Sequence, residues 1–329
     1  MDGTRKSDGS SLKFPAFDRR FFDSGEDFTV IGDGELGGKA SGLAFVRDIL
    51  RRSLPGRLPP GVVVDIPRLT VITTSFFDEF MTGNGLDEYV HGGMSDDQLA
   101  VRFQQADLPV MMLGDLRALI ETVRQPLAVR SSSRLEDALY EPFAGIYATK
   151  MIPNNQFSPD DRFRRLVEAV KFVYASTYFR TARDYLAATR HDPGQEKMAV
   201  IIQEVIGRRH GQRFYPDISG VARTYNYYPT GRARPEDGVV NLALGLGKTI
   251  VDGDPSWFYS PAWPRVSPPY GSPTDTLRQT QLSFWSINMG RPVSFDPTRE
   301  TEYLAHAHVG APQAALGAKT CMSTSEASG

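Results

Sequence analysis

A soluble fold of mixed helices and strands, arranged as two lobes, is what this sequence predicts, and three observations predict it. The chain has 329 residues, enough for two cores, and 40% of them are hydrophobic, the share usual in globular proteins. Near its start, FTVIGDGELGGKASGLAFVRDILRRSL reads as strand, glycine-rich turn and helix. Past its middle, a long helical pattern breaks at HDPGQ, residues 191 to 195, and gives way to the short β-branched run MAVII, which suits a central strand.

Taken in order, residues 1 to 13 are small and polar and are expected to be a disordered lead. The first lobe should span 14 to 195. In its opening helix Leu43, Val46, Ile49 and Leu50 share one face, and Arg47, Arg51 and Arg52 take the wet side or snorkel. GVVVDI and LTVITTSFF suggest further strands, and Asp78 to Tyr89 a helix cut by Gly83 and Gly85. Leu127, Ala128 and Val129 follow Pro126 as a strand end, so Arg130 should emerge where sheet gives way to loop. Residues 162 to 188 form the clearest helix, with Phe163, Leu166, Val167, Val170, Tyr174 and Tyr178 as a core stripe. The second lobe should run from 196 to 304, punctuated by Gly and Pro at 229 to 238 and 261 to 273. From Ala305 on, an Ala, Gly and Ser-rich stretch predicts a loose tail.

Bulk chemistry excludes some classes. A formal net charge of −2 argues against a general nucleic-acid binder. The single Cys321 excludes an intramolecular disulfide framework. No apolar run approaches eighteen residues and no signal-peptide core is visible, so no membrane partner and a cytoplasmic location are expected.

The stretch LAVRSSSRLEDALYEPFAGIYAT, 127 to 149, carries the chemistry. Arginine stays charged and grips phosphate oxygens with paired hydrogen bonds, and Ser131, Ser132 and Ser133 add short hydroxyl donors. Glu136 and Asp137 are placed to orient Arg134 or to stay in solvent. An ordinary serine-rich surface turn explains the composition as well.

The segment resembles the A-V-R-S-S, acidic pair, F-A-G signature in the nucleotide-binding domain of the phosphoenolpyruvate synthase and pyruvate phosphate dikinase family, with Phe143, Ala144 and Gly145 in the last position. Three more blocks follow the family's order. ELGGKASGLAFV, 35 to 46, resembles its G-G-K-x-x-x-L block, KMAVIIQEVI, 197 to 206, its M-A-V-V-V-Q block, and SGVARTYNYYP with LALGLGKTIVDG its S-G-V and G-L-G blocks. The resemblance implies an α+β, two-lobed ATP-grasp-like fold that clamps ATP, with the second lobe incomplete.

It also implies residue roles. Lys39, with Gly37 and Gly38, would serve the phosphates, a solvated helix-start lysine being the bland alternative. Arg130 would clamp the β or γ phosphate with Ser131, Ser132, Ser133 and Asp137 folding over it. Gln203, Glu204 and Val205 fall where the family's adenine-binding hinge lies, and Gly145, Gly245 and Gly247 belong to its nucleotide-binding turns. The family uses ATP and Mg²⁺ to phosphorylate a histidine on a separate carrier domain, which then visits a pyruvate-binding domain; neither domain fits in this chain. A water dikinase acting on a glucan or an antibiotic, and a nucleotide-binding module without turnover, are the alternatives.

Several patterns depart or mislead. GDGELG, Gly32 to Gly37, satisfies the dinucleotide fingerprint, but Asp65 lies 28 residues beyond Gly37 against an expected ~20. GLGKT ends like a P-loop, yet Leu242 stands where its first glycine is required. Lys248 replaces the acidic residue that commonly follows this turn in the family, and a solvated turn lysine is the equal alternative. Met322 after Thr320 and Cys321 replaces a phosphoacceptor histidine, and His306 and His308 lack further ligands. The family's late acidic pair and Q-x-R-P strand, which hold the metal, are not recognisable: NMGRP keeps only Arg291 and Pro292, and Glu300 and Glu302 come after it. The metal ligands are therefore unknown, and the chain is expected to stop before them; Asp252, Asp254, Glu300 and Glu302 are the carboxylates to try first.

Overall fold

A computed structural model describes residues 15–18, 26–90, 93–133, 145–189, 196–265, 281–292 and 295–309. The chain divides into two compact units that interleave along the sequence: Met1–Val123, Arg130–Ala144 and Val173–Gln203 make the first, and Arg124–Val129, Gly145–Phe172 and Glu204–Gly329 the second. The expected lobes are consecutive stretches divided at residue 195. The interleaving arises because two strands and a helix each run from one unit into the other.

Strands β1 (Phe28–Ile31) and β2 (Leu69–Ile72) pair in parallel, and β5 (Met198–Glu204) joins β2 antiparallel with Leu69 opposite Gln203. Strands β3 (Leu127–Ser133) and β4 (Thr149–Ile152) complete the order β1-β2-β5-β3-β4. MAVII is therefore central, as its β-branched run implied. The antiparallel pairing of central β5 with β2 also sets this sheet apart from the mostly parallel sheet of a dinucleotide fold.

Helix α1 (Gly37–Ser53) follows β1 through the glycine-rich turn, and its buried side is Ala40, Ala44 and Arg47. These alanines pack with Phe28, Leu69, Val71 and Ile201, and Leu43 and Leu50 close over them. Val46 and Ile49 are exposed, contrary to the expected face. Small alanines let the helix sit close to the sheet and turn that face outward. Arg47 lies inside, 5.3 Å from the Phe28 ring centre and 3.6 Å from Asp27, where a planar cation finds both a π-face and a counter-charge.

Helices α2 (Thr74–Gly83), α3 (Asp87–Val90), α4 (Asp96–Gln105) and α5 (Val110–Thr122) also belong to the first unit. Ser95 and Gln98 form a reciprocal capping box at the start of α4. The expected strand at GVVVDI does not form: Val62, Val63 and Val64 are exposed, and only Ile66 is buried. The expected helix over 162 to 188 is two helices, α6 (Pro159–Ser176) and α7 (Arg180–Ala188). The first unwinds through bonds from Thr177 and Tyr178 to carbonyls three residues back, and Phe179 is extended. Leu166, Val170, Tyr174 and Tyr178 of the stripe are buried core. Phe77 and Phe80 pack on Tyr174 with ring centres 5.1 and 5.3 Å away.

The second unit holds two more sheets. Strands β8 (Ser219–Arg223), β9 (Val239–Ala243) and β10 (Trp257–Tyr259) form one, in the order β10-β9-β8. Strands β6 (Arg208–His210), β7 (Arg213–Tyr215), β11 (Ser283–Asn288) and β12 (Leu304–His308) form the other, in the order β12-β11-β7-β6. Helix α8 (Lys248–Val251) follows β9. The stretch expected to be tail from Ala305 thus begins as a strand paired with β11; the remainder of it past 309, with Thr320, Cys321 and Met322, lies outside the described residues, as do the expected lead and HDPGQ.

Candidate functional site

In the first unit the turn before α1 and strand β3 are joined by one hydroxyl. Ser132 Oγ donates to the Leu36 carbonyl at 2.8 Å and accepts from the Ala40 N–H at 3.0 Å. Those two backbone groups would otherwise bond each other and close the first helical turn. The serine is inserted between them, which couples strand to helix start. Gly37 makes the approach possible. Its φ is +71°, and a Cβ placed there would stand 1.7 Å from the Ser132 carbonyl oxygen. The glycine therefore answers first to the strand behind it, not to a ligand in front.

This joint sets two cations. Lys39 Nζ donates to Ser131 Oγ at 3.1 Å, and Arg130 Nη1 donates to Gln203 Oε1 at 3.0 Å. Ser131 and Arg130 are adjacent on β3, so both cations are tied to one short length of strand. Both are partly exposed, whereas Ser131, Ser132 and Ser133 are fully buried. The expectation of a flexible serine loop beyond the strand is corrected here: the serines are the end of β3. Ser131 and Ser132 spend their hydroxyls on Lys39 and on the start of α1, because a buried hydroxyl must find an internal partner. Gly38 lies in the first turn of α1. Asp137, with Arg134, Glu136, Phe143 and Ala144, lies outside the described residues.

The remaining candidates belong to the second unit, except Gln203, which is buried on β5 in the first. Val205 donates its N–H to the Pro126 carbonyl at 2.9 Å, so a base edge could be offered only its carbonyl. Val205, Met151, Trp285, Met289 and Leu304 are partly buried apolar neighbours of Phe214, Leu246 and Ile287. Glu204 ends β5. Gly145 turns with φ +79° in open space. Gly245 has φ +81°, and a Cβ on it would meet the Trp285 carbonyl at 2.6 Å. The adjacent Leu246 N–H donates to that same carbonyl at 2.9 Å, and Ser219 Oγ donates to the Gly245 carbonyl at 2.7 Å. Gly247 caps α8, and Lys248 reaches Asp252 across one turn at 3.1 Å.

Three of the four candidate metal carboxylates already have partners. Glu302 is paired with Lys150 at 2.9 Å, both side chains being buried. Glu300 accepts from the Thr149 N–H at 3.2 Å, and Asp252 is taken by Lys248. Among the described residues no three His, Cys, Asp or Glu side chains are grouped as metal ligands. Lys150 escapes the sequence reading altogether. It donates to the Pro297 and Arg299 carbonyls at 2.8 Å each and lies 4.9 Å from the Phe172 ring centre. Burial pushes its ammonium below the usual lysine range, and the Glu302 charge opposes that fall. A lone charge in the strand Thr149–Ile152, followed by Met151 and Ile152, is the available signal.

Among the described residues no helix is long and apolar enough to cross a membrane. A family model described as "Pyruvate phosphate dikinase, AMP/ATP-binding domain" matches residues 34–262. No curated protein matches the chain.

Proposed function

This chain belongs to the AMP/ATP-binding domain family of pyruvate phosphate dikinase, and from that premise we propose that Lys39 and Arg130 hold the phosphates of ATP for transfer to a histidine on a separate carrier domain. The observation that carries the proposal is the joint at Ser132, which fixes the bases of both cations through one strand and one helix start. Fixed cations stabilise charge that develops during phosphoryl transfer without having to reorganise. Arg130 offers the paired donors that suit phosphate oxygens, and Lys39 adds a point charge.

By the family's motif Glu204 and Val205 would belong to the hinge that reads the base. Gly145, Gly245 and Gly247 shape the turns around the nucleotide. Mg²⁺ would help neutralise the charge of the phosphates in such a reaction, but Asp252, Glu300 and Glu302 are already engaged, so no step is assigned to it. Their engagement favours a second reading, a module that binds ATP without turnover.

Incubation with ATP, Mg²⁺ and a separately supplied phosphohistidine domain of the family separates the two. The first reading expects slow labelling of the histidine that Arg130→Ala abolishes. Saturable ATP binding with no labelling favours the module, and absence of ATP binding contradicts both. Rapid, stoichiometric labelling would mean that a metal shell does assemble, beginning with Asp252, Asp254, Glu300 and Glu302.

A further inference from the structure

The motif puts Gln203 at the adenine, yet its side chain is buried on central strand β5 and turned to Arg130. Its Oε1 accepts from Arg130 Nη1 at 3.0 Å, and its Nε2 lies 3.5 Å from the Pro67 carbonyl, at the outer limit of a hydrogen bond. We propose that Gln203 is a positioning residue: it aims the Arg130 guanidinium without neutralising it. This rests on the reading of Arg130 as a phosphate ligand.

The chemistry of the amide is the reason. A guanidinium has five donors, and a bond from one of them to a neutral carbonyl oxygen cancels none of its charge. A carboxylate at the same place would hold the guanidinium at least as firmly, because charge-assisted bonds are the stronger ones. It would also cancel the charge that a phosphate needs. A side chain with only a structural role would gain from that exchange, and a positioning side chain would lose. The backbone around Gln203 is well braced for such a task, since β5 pairs with β2 from Leu69 opposite Gln203 to Ile72 opposite Val200.

The test compares Gln203→Glu and Gln203→Leu with the parent chain, using calorimetric titration of ATP and of inorganic tripolyphosphate, with thermal unfolding alongside. Gln203→Glu should keep the unfolding midpoint and weaken both ligands by about tenfold or more, the loss of one charged hydrogen bond. Gln203→Leu should weaken both as well. In the double variant Arg130→Ala with Gln203→Glu, affinity should fall no further than in Arg130→Ala alone, since both act through one group. Loss of ATP affinity with tripolyphosphate unchanged would make Gln203 a reader of the base and overturn the proposal. Additive losses in the double variant would overturn it too. If Arg130→Ala weakens ATP and Gln203→Glu does not, the positioning role alone falls. If Arg130→Ala leaves ATP affinity unchanged, the assignment of Arg130 falls and takes this one with it.

Discussion

At Gly37 a single methyl group decides whether the joint can form. Alanine there needs a left-handed backbone, which costs about 1–3 kcal/mol, and also drives its Cβ into the Ser132 carbonyl. Gly56 has a similar φ of +75°, and a Cβ placed on it would meet nothing within 4 Å, so it isolates the cost of the backbone alone. Gly37→Ala should therefore lower the midpoint of urea unfolding clearly more than Gly56→Ala, and weaken ATP as well; equal costs would show that the approach to Ser132 is slack. The candidate cations stand out in the sequence, since Lys39 follows a glycine pair and Arg130 follows an apolar run. Their neutral partners do not. A serine after an arginine reads as loop until one knows that its hydroxyl is inserted between Ala40 and Leu36, a contact 92 residues away in sequence for Ala40. Gln203 is likewise read by its place in a motif, and only the packing of β5 shows where its amide goes.

Among elements, β4 depends on one buried ion pair. Removing Lys150 would strand the Glu302 carboxylate, and breaking a buried pair in this way costs about 3–5 kcal/mol. Lys150→Met should show that loss in urea unfolding, and adding Glu302→Leu should recover much of it, because two apolar side chains need no counter-charge. A double variant no better than Lys150→Met would show that the Pro297 and Arg299 carbonyls, not Glu302, are the partners that matter. The elements themselves are legible where period and composition agree. Strand, turn and helix at 28 to 53 and the strand at 198 follow from β-branched runs beside glycine. Legibility ends where tertiary packing decides. Val62, Val63 and Val64 have the composition of a strand but no described strand partner, and one apolar stripe over 162 to 188 cannot reveal the unwinding at Thr177. In α1 the buried side is Ala40, Ala44 and Arg47, while Val46 and Ile49 face outward.

For the whole molecule, the sequence blocks and the family match over 34–262 agree on a nucleotide-binding α+β domain with an ATP-grasp-like fold. The blocks lie in order along the chain, yet the two compact units alternate along it, because β3, α6 and β5 cross between units. Linear reading therefore finds the motifs and misses the interleaving. On the proposed reading Arg130 and Lys39 hold the phosphates, while Lys248, paired with Asp252, does not. Calorimetric titration of ATP into the parent chain and into Arg130→Ala, Lys39→Ala and Lys248→Ala tests it most directly. The account predicts losses of about 1.5–3 kcal/mol for Arg130→Ala, the range for hydrogen bonds to charged groups, a comparable loss for Lys39→Ala, and little change for Lys248→Ala. Equal ATP affinity in Arg130→Ala and the parent chain would contradict it.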